Sequence, residues 1–273
     1  MTAQLGKIGI WRPHTDLSPE LAVEVEKLGY GTIWVGGSPP ADLGVVERLL
    51  EATDGIAVAT GIVNIWNSDA KAVAESYHRV TEKHPDRLLL GIGAGHREAT
   101  AEYTKPYTAL VNYLDVLDAE GVPASGRVLA ALGPRVLELA RDRAAGAHPY
   151  LTVPAHTEKA RSVLGAEPIL APEQKVVLDP DPQRARTTAR PMIQFYLRLN
   201  NYTRNLKRFG YTDQDVAGTG SDRLVDDLAV HGTAEEIATR LKSHVEAGAN
   251  HVAIQPLGED PLSAYKALAT ALS

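Results

Sequence analysis

The stretch RLLLGIGAGH, residues 87–96, sets glycines at alternate positions, Gly91, Gly93 and Gly95 with Ala94 between the last two, and ends on His96. Glycines at a strand end let another group lie against the backbone, and histidine can move a proton near neutral pH. Together they suggest a ligand held on main chain with a titratable group beside it. A dinucleotide fingerprint would need a helix starting at the glycines and an acid closing the next strand. Here REATAEYTKP follows, Pro106 interrupts, and 127–133 ends without an acid.

A second glycine carries different chemistry. In LAALGP, Gly133 stands as N-cap and Pro134 as first helical residue directly after an apolar run. The amides just beyond would have no helical partner and could take a phosphate at the positive end of the helix dipole; the alternative is an ordinary strand-to-helix junction. His14 lies in a loop, as His96 does, and both are candidates for proton transfer. His148 sits in an apolar stretch, as a core histidine or a site residue. Trp66 and Tyr150 read equally as packing or as site. His78, His84, His231, His244 and His251 fall on helices or element starts and read as solvated. No HExxH or similar spacing occurs, so no metal site is expected.

These residues need elements to position them, and the chain alternates short apolar runs with stretches of helical period. KIGIW (7–11), GTIWVGG (31–37), IAVATGIVNIW (56–66), RLLLGIGAG (87–95), RVLAALG (127–133), AHPYLTV (147–153), the first half of PILAPEQKVVL (168–178) and HVAIQPL (251–257) read as eight strands. Helix starts fall between them. Ser18 caps a helix with Pro19 at its first position, Asp69 starts another, and Thr233 with Glu236 forms a capping box. Eight such units predict an α/β fold, a (β/α)8 TIM barrel spanning residues 1–273 as one domain. Residues 179–232, between strands seven and eight, are too long for one connection and read as a long helix plus an excursion on the rim.

In such a barrel the strand C-termini form the working face. They carry Arg12, His14, Gly36 to Ser38, Asn64, Trp66, Ala94, His96, Gly133, His148, Tyr150, Glu173, Gln174 and Gln255. Glu173 is the one acid among them, whereas hydrolytic or metal-assisted barrels gather several. A pocket so poor in charge fits chemistry carried by a cofactor. The 273 residues have a formal net charge of -6, which gives no field for a nucleic-acid backbone, and there is no cysteine for disulfides, thiolate metal sites or nucleophilic catalysis. No long apolar span or basic leader is seen, so a cytoplasmic protein without membrane contact is expected.

GYGTIWVGG, VATGIVNIW, RLLLGIGAGH, LAALGPRVLELARDRAAGAHPYL and FYLRLNNYTRNLKRFGY, in that order, resemble the luciferase-like monooxygenase superfamily, and within it the probable coenzyme F420-dependent oxidoreductases. The resemblance implies a barrel holding F420, or alternatively FMN, at its strand ends, hydride exchange with a small organic substrate, and a homodimer. It also implies a non-proline cis peptide around Gly61 and Ile62 under the ring. Asn64, Gly93, Ala94 and Gly95 would lie along the cofactor, with Ala131, Leu132, Gly133 and Pro134 at its phosphate and His148 and Tyr150 nearby. His96 or His14 would act as proton donor, because many relatives carry an acid or an Asp-His pair where this chain has Gly36, Gly37 and Ser38. An FMN-dependent monooxygenase and a non-catalytic flavin-binding barrel are the other readings.

Overall fold

Strands apolar on both faces can only be buried between a core and a layer of helices, and that constraint shapes the chain. The computed structural model describes residues 3–95 and 105–272. In order, these form β1 (Ile8–Pro13), α1 (Pro19–Lys27), β2 (Thr32–Gly36), α2 (Gly44–Glu51), β3 (Ala57–Gly61), β4 (Val63–Asn64), α3 (Ala70–Lys83) and β5 (Leu88–Gly93). After the 96–104 interval come α4 (Pro106–Ala119), β6 (Arg127–Leu129), α5 (Pro134–Arg143), β7 (Gly146–Ala147), α6 (Pro154–Leu164), β8 (Ile169–Leu170) and β9 (Glu173–Val177). The chain ends with α7 (Pro182–Leu197), α8 (Asn200–Arg208), α9 (Asp222–Leu228), β10 (Ala229–His231), α10 (Ala234–Glu246), β11 (Val252–Pro256) and α11 (Pro261–Leu272).

Every strand pairing is parallel, in the order β10-β9-β11-β1-β2-β3-β5-β6-β7-β8, with β4 also on β5. The ring closes because β8 and β9 are one run of chain. Ala171 N donates to Ala147 O and Glu173 N to Pro149 O on one edge, while Ala253 N donates to Pro172 O on the other. β3 and β4 likewise form one barrel strand, interrupted at Gly61–Ile62, whose peptide bond is cis. The fold is therefore the α/β barrel expected from the rhythm of the sequence. The helix starts also lie where their caps place them. Ser18 Oγ accepts from Leu21 N at 3.2 Å, Asp69 from Lys71 and Ala72 N at 3.1 Å each, and the Thr233–Glu236 capping box is closed.

Three expectations need correction. The fifth and sixth strands are far shorter than the apolar runs that announce them, three residues in β6 and two in β7, because from Ala130 and His148 onward the chain leaves the ladder to build the rim. Strand seven is not confined to the first half of its segment: β9, in the second half, is the longer piece and carries buried Glu173 and Lys175. The excursion after it contains three helices, α7, α8 and α9, and a short strand, β10, on the edge of β9.

The third correction concerns histidines. His244 and His251 are not solvated; each is 1% exposed. His244 bridges Thr157 Oγ1 at 2.7 Å and Gln174 Oε1 at 2.9 Å, tying α10 to α6 and the barrel wall. His251 takes the Trp34 indole N–H at 2.9 Å and donates through Nδ1 to Gly6 O at 3.0 Å. Among the described residues no helix is long and apolar enough to cross a membrane, and no group of three or more His, Asp or Glu could hold a metal ion.

These histidines make stability depend on pH. Burial pushes His148 down to about 3, and His244 and His251 down to about 4, from an ordinary 6.5. Below 6.5 the unfolded chain binds protons that the folded chain refuses, so the stability is complete above that pH and falls as pH drops toward about 4, by about 1.4 kcal/mol per histidine per pH unit. Urea midpoints taken at about pH 7.5 and about 5.5 should therefore differ clearly, with uptake of roughly three protons on unfolding in the lower range. An equal midpoint at both would contradict the burial of these rings.

Candidate functional site

The strand ends and the excursion enclose a cavity of about 540 Å³, bounded by Trp11 of β1, Gly61 and Ile62 at the strand-three break, Asn64, Ala94 and Gly95 after β5, residues 130–133 after β6, and His148 and Tyr150 after β7. α4 adds Tyr107; α7 and α8 add Phe195, Tyr196, Asn201 and Tyr202. No Asp, Glu, Lys or Arg lines it among the described residues.

The glycines in and just after β5 have a structural explanation. A β-carbon at Gly91 would collide with the Thr60 carbonyl oxygen, and one at Gly93 would lie 2.8 Å from Ala130 Cβ and 3.0 Å from Ile62 Cγ1. What approaches these two is the neighbouring strand. Gly95 has φ of +57° and its side-chain position lies 2.7 Å from Asn64 Nδ2, so it alone of the three faces the cavity and also needs the left-handed backbone. At Gly61 the corresponding position is 2.9 Å from Trp11 Nε1 and 3.1 Å from His148 Nε2.

His148 is 1% exposed and stacks on Trp34, with ring centroids 3.9 Å apart and planes 11° apart. Its Nδ1 meets Ala171 O at 2.7 Å, which requires the proton on that nitrogen and leaves Nε2 as an acceptor with no partner. Burial holds the ring neutral, and the Trp11 indole N–H is likewise unpartnered.

Tyr150 is held from three sides. Its hydroxyl donates to Gln255 Oε1 at 2.9 Å, its ring lies 5.1 Å from that of Trp11, and the Lys175 ammonium sits 3.9 Å from its ring centroid. Lys175 is fully buried and bonds both carboxylate oxygens of Glu173 at 3.0 Å; Glu173 also accepts from Leu151 N at 3.2 Å, at a residue with φ of +53°. Burial raises the Glu173 carboxyl and lowers the Lys175 amine, and each opposes the other's shift through the ion pair.

Gly133 caps α5 with φ of −91° and ψ of 157°, an extended backbone open to any residue, and the nearest atom to its side-chain position is Arg208 Nη1 at 3.8 Å. The sequence candidates Gly61, Ile62, Asn64, Ala94, Gly95, Ala131, Leu132, Gly133, His148 and Tyr150 are thus brought to one cavity. Gly93 and Pro134 do not line it. His14 is half-buried beside it, with its Cδ2 3.5 Å from the side-chain position of Gly37, a lining residue. His96 lies outside the described residues. Trp66 donates to Ala94 O at 2.7 Å and supports the wall from outside. Sequence reasoning missed Trp11, Tyr107, Phe195, Tyr196, Asn201 and Tyr202 as lining; four of them come from the rim excursion, whose folding over the strand ends has no local signal.

Residues 13–120 match the family model described as luciferase-like monooxygenase, in agreement over that stretch with the superfamily resemblance read from the sequence. None of the curated proteins matches the chain. Solved structures share its fold along nearly the whole length. An F420-dependent secondary alcohol dehydrogenase in complex with an F420-acetone adduct is 16% identical, covering 99% of this chain and 100% of its own, with a TM-score of 0.77. The coenzyme F420-dependent tetrahydromethanopterin reductase of Methanopyrus kandleri is 15% identical over 98% and 99%, with a TM-score of 0.79. The oxygenating constituent of 3,6-diketocamphane monooxygenase from Pseudomonas putida, in complex with FMN, is 13% identical over 97% and 96%, with a TM-score of 0.70. At these identities the likeness is one of fold.

The crowding at Gly61 can be tested directly. Gly61→Ala forces Trp11 or His148, both buried, out of its seat, which should lower stability by about 1–3 kcal/mol and change tryptophan fluorescence. Denaturant unfolding checks it, and an unaltered midpoint with an unaltered spectrum would mean the two rings do not close on this glycine.

Proposed function

We propose that the chain is an oxidoreductase that passes a hydride between coenzyme F420 and a small organic substrate in the barrel cavity. The observation that carries this is the shape and chemistry of that cavity: a backbone-lined side at Gly61, Ile62, Ala94 and Gly95, the start of α5 at Gly133, and no charged side chain among the described lining residues. The residues fit a planar ring with a phosphate. Gly61 and Gly95 present backbone where a β-carbon would intrude, and unpartnered Trp11 Nε1 and His148 Nε2 lie beside Gly61. When bound, such a cofactor supplies the hydride acceptor or donor that no side chain can provide.

The chain's own residues would then do the positioning. Gly61, Ile62, Ala94 and Gly95 would hold the ring, and the turn from Ala131 to Gly133 would receive the phosphate at the start of α5, at the Arg135 amide, with the Arg208 guanidinium at hand as counter-charge; the Val136 amide is taken by Gly133 O at 3.1 Å. His148 stays neutral, with Nδ1 engaged on Ala171 O and Nε2 able only to accept, so proton transfer falls to His14 or His96. The tetrahydromethanopterin reductase and the secondary alcohol dehydrogenase support F420 as the cofactor; FMN, named for the diketocamphane enzyme, is the alternative that the same cavity admits.

Gly133 offers the sharpest test. Its extended backbone and open side-chain position suit Asp, itself a good N-cap, so Gly133→Asp should fold with an almost unchanged melting temperature. Its carboxylate would occupy and repel the phosphate position, and affinity for F420 should fall at least about tenfold, roughly 1.4 kcal/mol. Normal folding with undiminished affinity would place the phosphate elsewhere.

A further inference from the structure

The chain has three tryptophans, ten tyrosines and two phenylalanines, and six of these rings line one cavity: Trp11, Tyr107, Tyr150, Phe195, Tyr196 and Tyr202. Five of them are in mutual contact, with ring centroids 5.1 Å apart for Trp11–Tyr150 and Tyr150–Tyr196, 5.2 Å for Phe195–Tyr196 and 5.3 Å for Tyr196–Tyr202. From this we infer that the aromatic side is the substrate wall, and that the substrate is a planar, uncharged aromatic compound. The inference rests on the proposed function, which assigns the backbone-lined side at Gly61, Ile62, Ala94 and Gly95 to the cofactor; Trp11, against Gly61, stands where the two sides meet.

The charge of the ligand follows from what lies behind the rings. A cluster of aromatic faces can also attract a cation. Here, however, the Lys175 ammonium already sits 3.9 Å from the Tyr150 centroid and 5.3 Å from that of Tyr196, so a second positive charge near these rings is disfavoured. An anion is disfavoured as well. The described lining residues carry no charge, Lys175 is committed to Glu173 by two bonds of 3.0 Å, Arg208 stands at Gly133 where the proposed function puts the phosphate, Arg135 is stacked on Tyr107 at 4.2 Å, and a charge entering an aromatic cavity loses its water without replacement. The polar groups left on the lining are amides and hydroxyls such as Asn64, Asn201 and Ser38, which suit a neutral polar substituent. Because Glu173 fixes Lys175 and Gln255 holds the Tyr150 hydroxyl, the wall is rigid before a ligand arrives, and flat ligands bind such walls with little ordering cost.

Calorimetric titration with three probes of similar size tests this, on the protein with and without F420: 2-naphthol (neutral), 2-naphthoate (anionic) and a trimethylnaphthylammonium salt (cationic). The expected result is binding of 2-naphthol at least about tenfold tighter than either charged probe, and tighter still with F420 bound. Tyr196→Ala should weaken 2-naphthol by about tenfold while F420 affinity stays within a factor of about two. Phe195→Ala, at a ring 58% exposed and so removable without unfolding, should weaken it in the same direction. Equal or tighter binding of either charged probe, no binding of 2-naphthol, or indifference to both substitutions would overturn the inference. If 2-naphthol binds by this wall and F420 does not bind at all, the wall stands and the proposed function fails; the reverse pattern sinks only the wall.

Discussion

Two opposite charges stripped of water inside a barrel must find each other, and Glu173 and Lys175 do so two residues apart on one strand. Removing both from solvent is expensive, and an apolar pair would often fold as well, so such a pair is weak evidence of a stability device. Its third and fourth contacts show what it organises. Glu173 holds the Leu151 amide, fixing the turn that carries His148 and Tyr150, and Lys175 supports the Tyr150 and Tyr196 rings from behind. The cavity wall and the rim that follows β7 thus depend on one ion pair that does not line the cavity.

The same demand for partners orders the rest of the barrel interior. Trp34 donates to His251, His251 to Gly6, and His148 to Ala171, while Thr60 exchanges bonds with both the N–H and the C=O of Gly91 at 2.8 Å. Each buried polar group left unpaired there would cost about 1–3 kcal/mol, which is why these chains of donors run nearly to completion. Two lining residues break the pattern, at Trp11 Nε1 and His148 Nε2, and they meet beside Gly61, where strand three is interrupted.

Much of this was legible in the sequence because it is local. Caps at Ser18, Asp69, Gly133 and Thr233 need only their own neighbours, and the strand-helix rhythm needs only hydrophobic period, so both appear in the structure as read. The break at Gly61–Ile62 was read from resemblance alone. The failures are long-range. His244 and His251 look like surface residues until Thr157, Gln174 and Trp34 arrive from elsewhere in the chain. Gly93 looks like a ligand contact until Ala130 and Ile62 fill its space. EQK in β9 reads as a polar strand end, because nothing local says that the glutamate and the lysine will neutralise each other in the core. The aromatic wall was invisible for the same reason, since α7 and α8 reach the cavity only by crossing the rim.

The central claim is that this cavity holds a deazaflavin, and separate titrations of the wild-type protein with F420 and with FMN test it most directly. Trp11 on the cavity wall and Trp66, bonded to the Ala94 carbonyl, provide the fluorescence signal. The account predicts saturable quenching by F420, at lower concentration than any quenching by FMN. Tight binding of FMN with no response to F420, or no response to either, would contradict it.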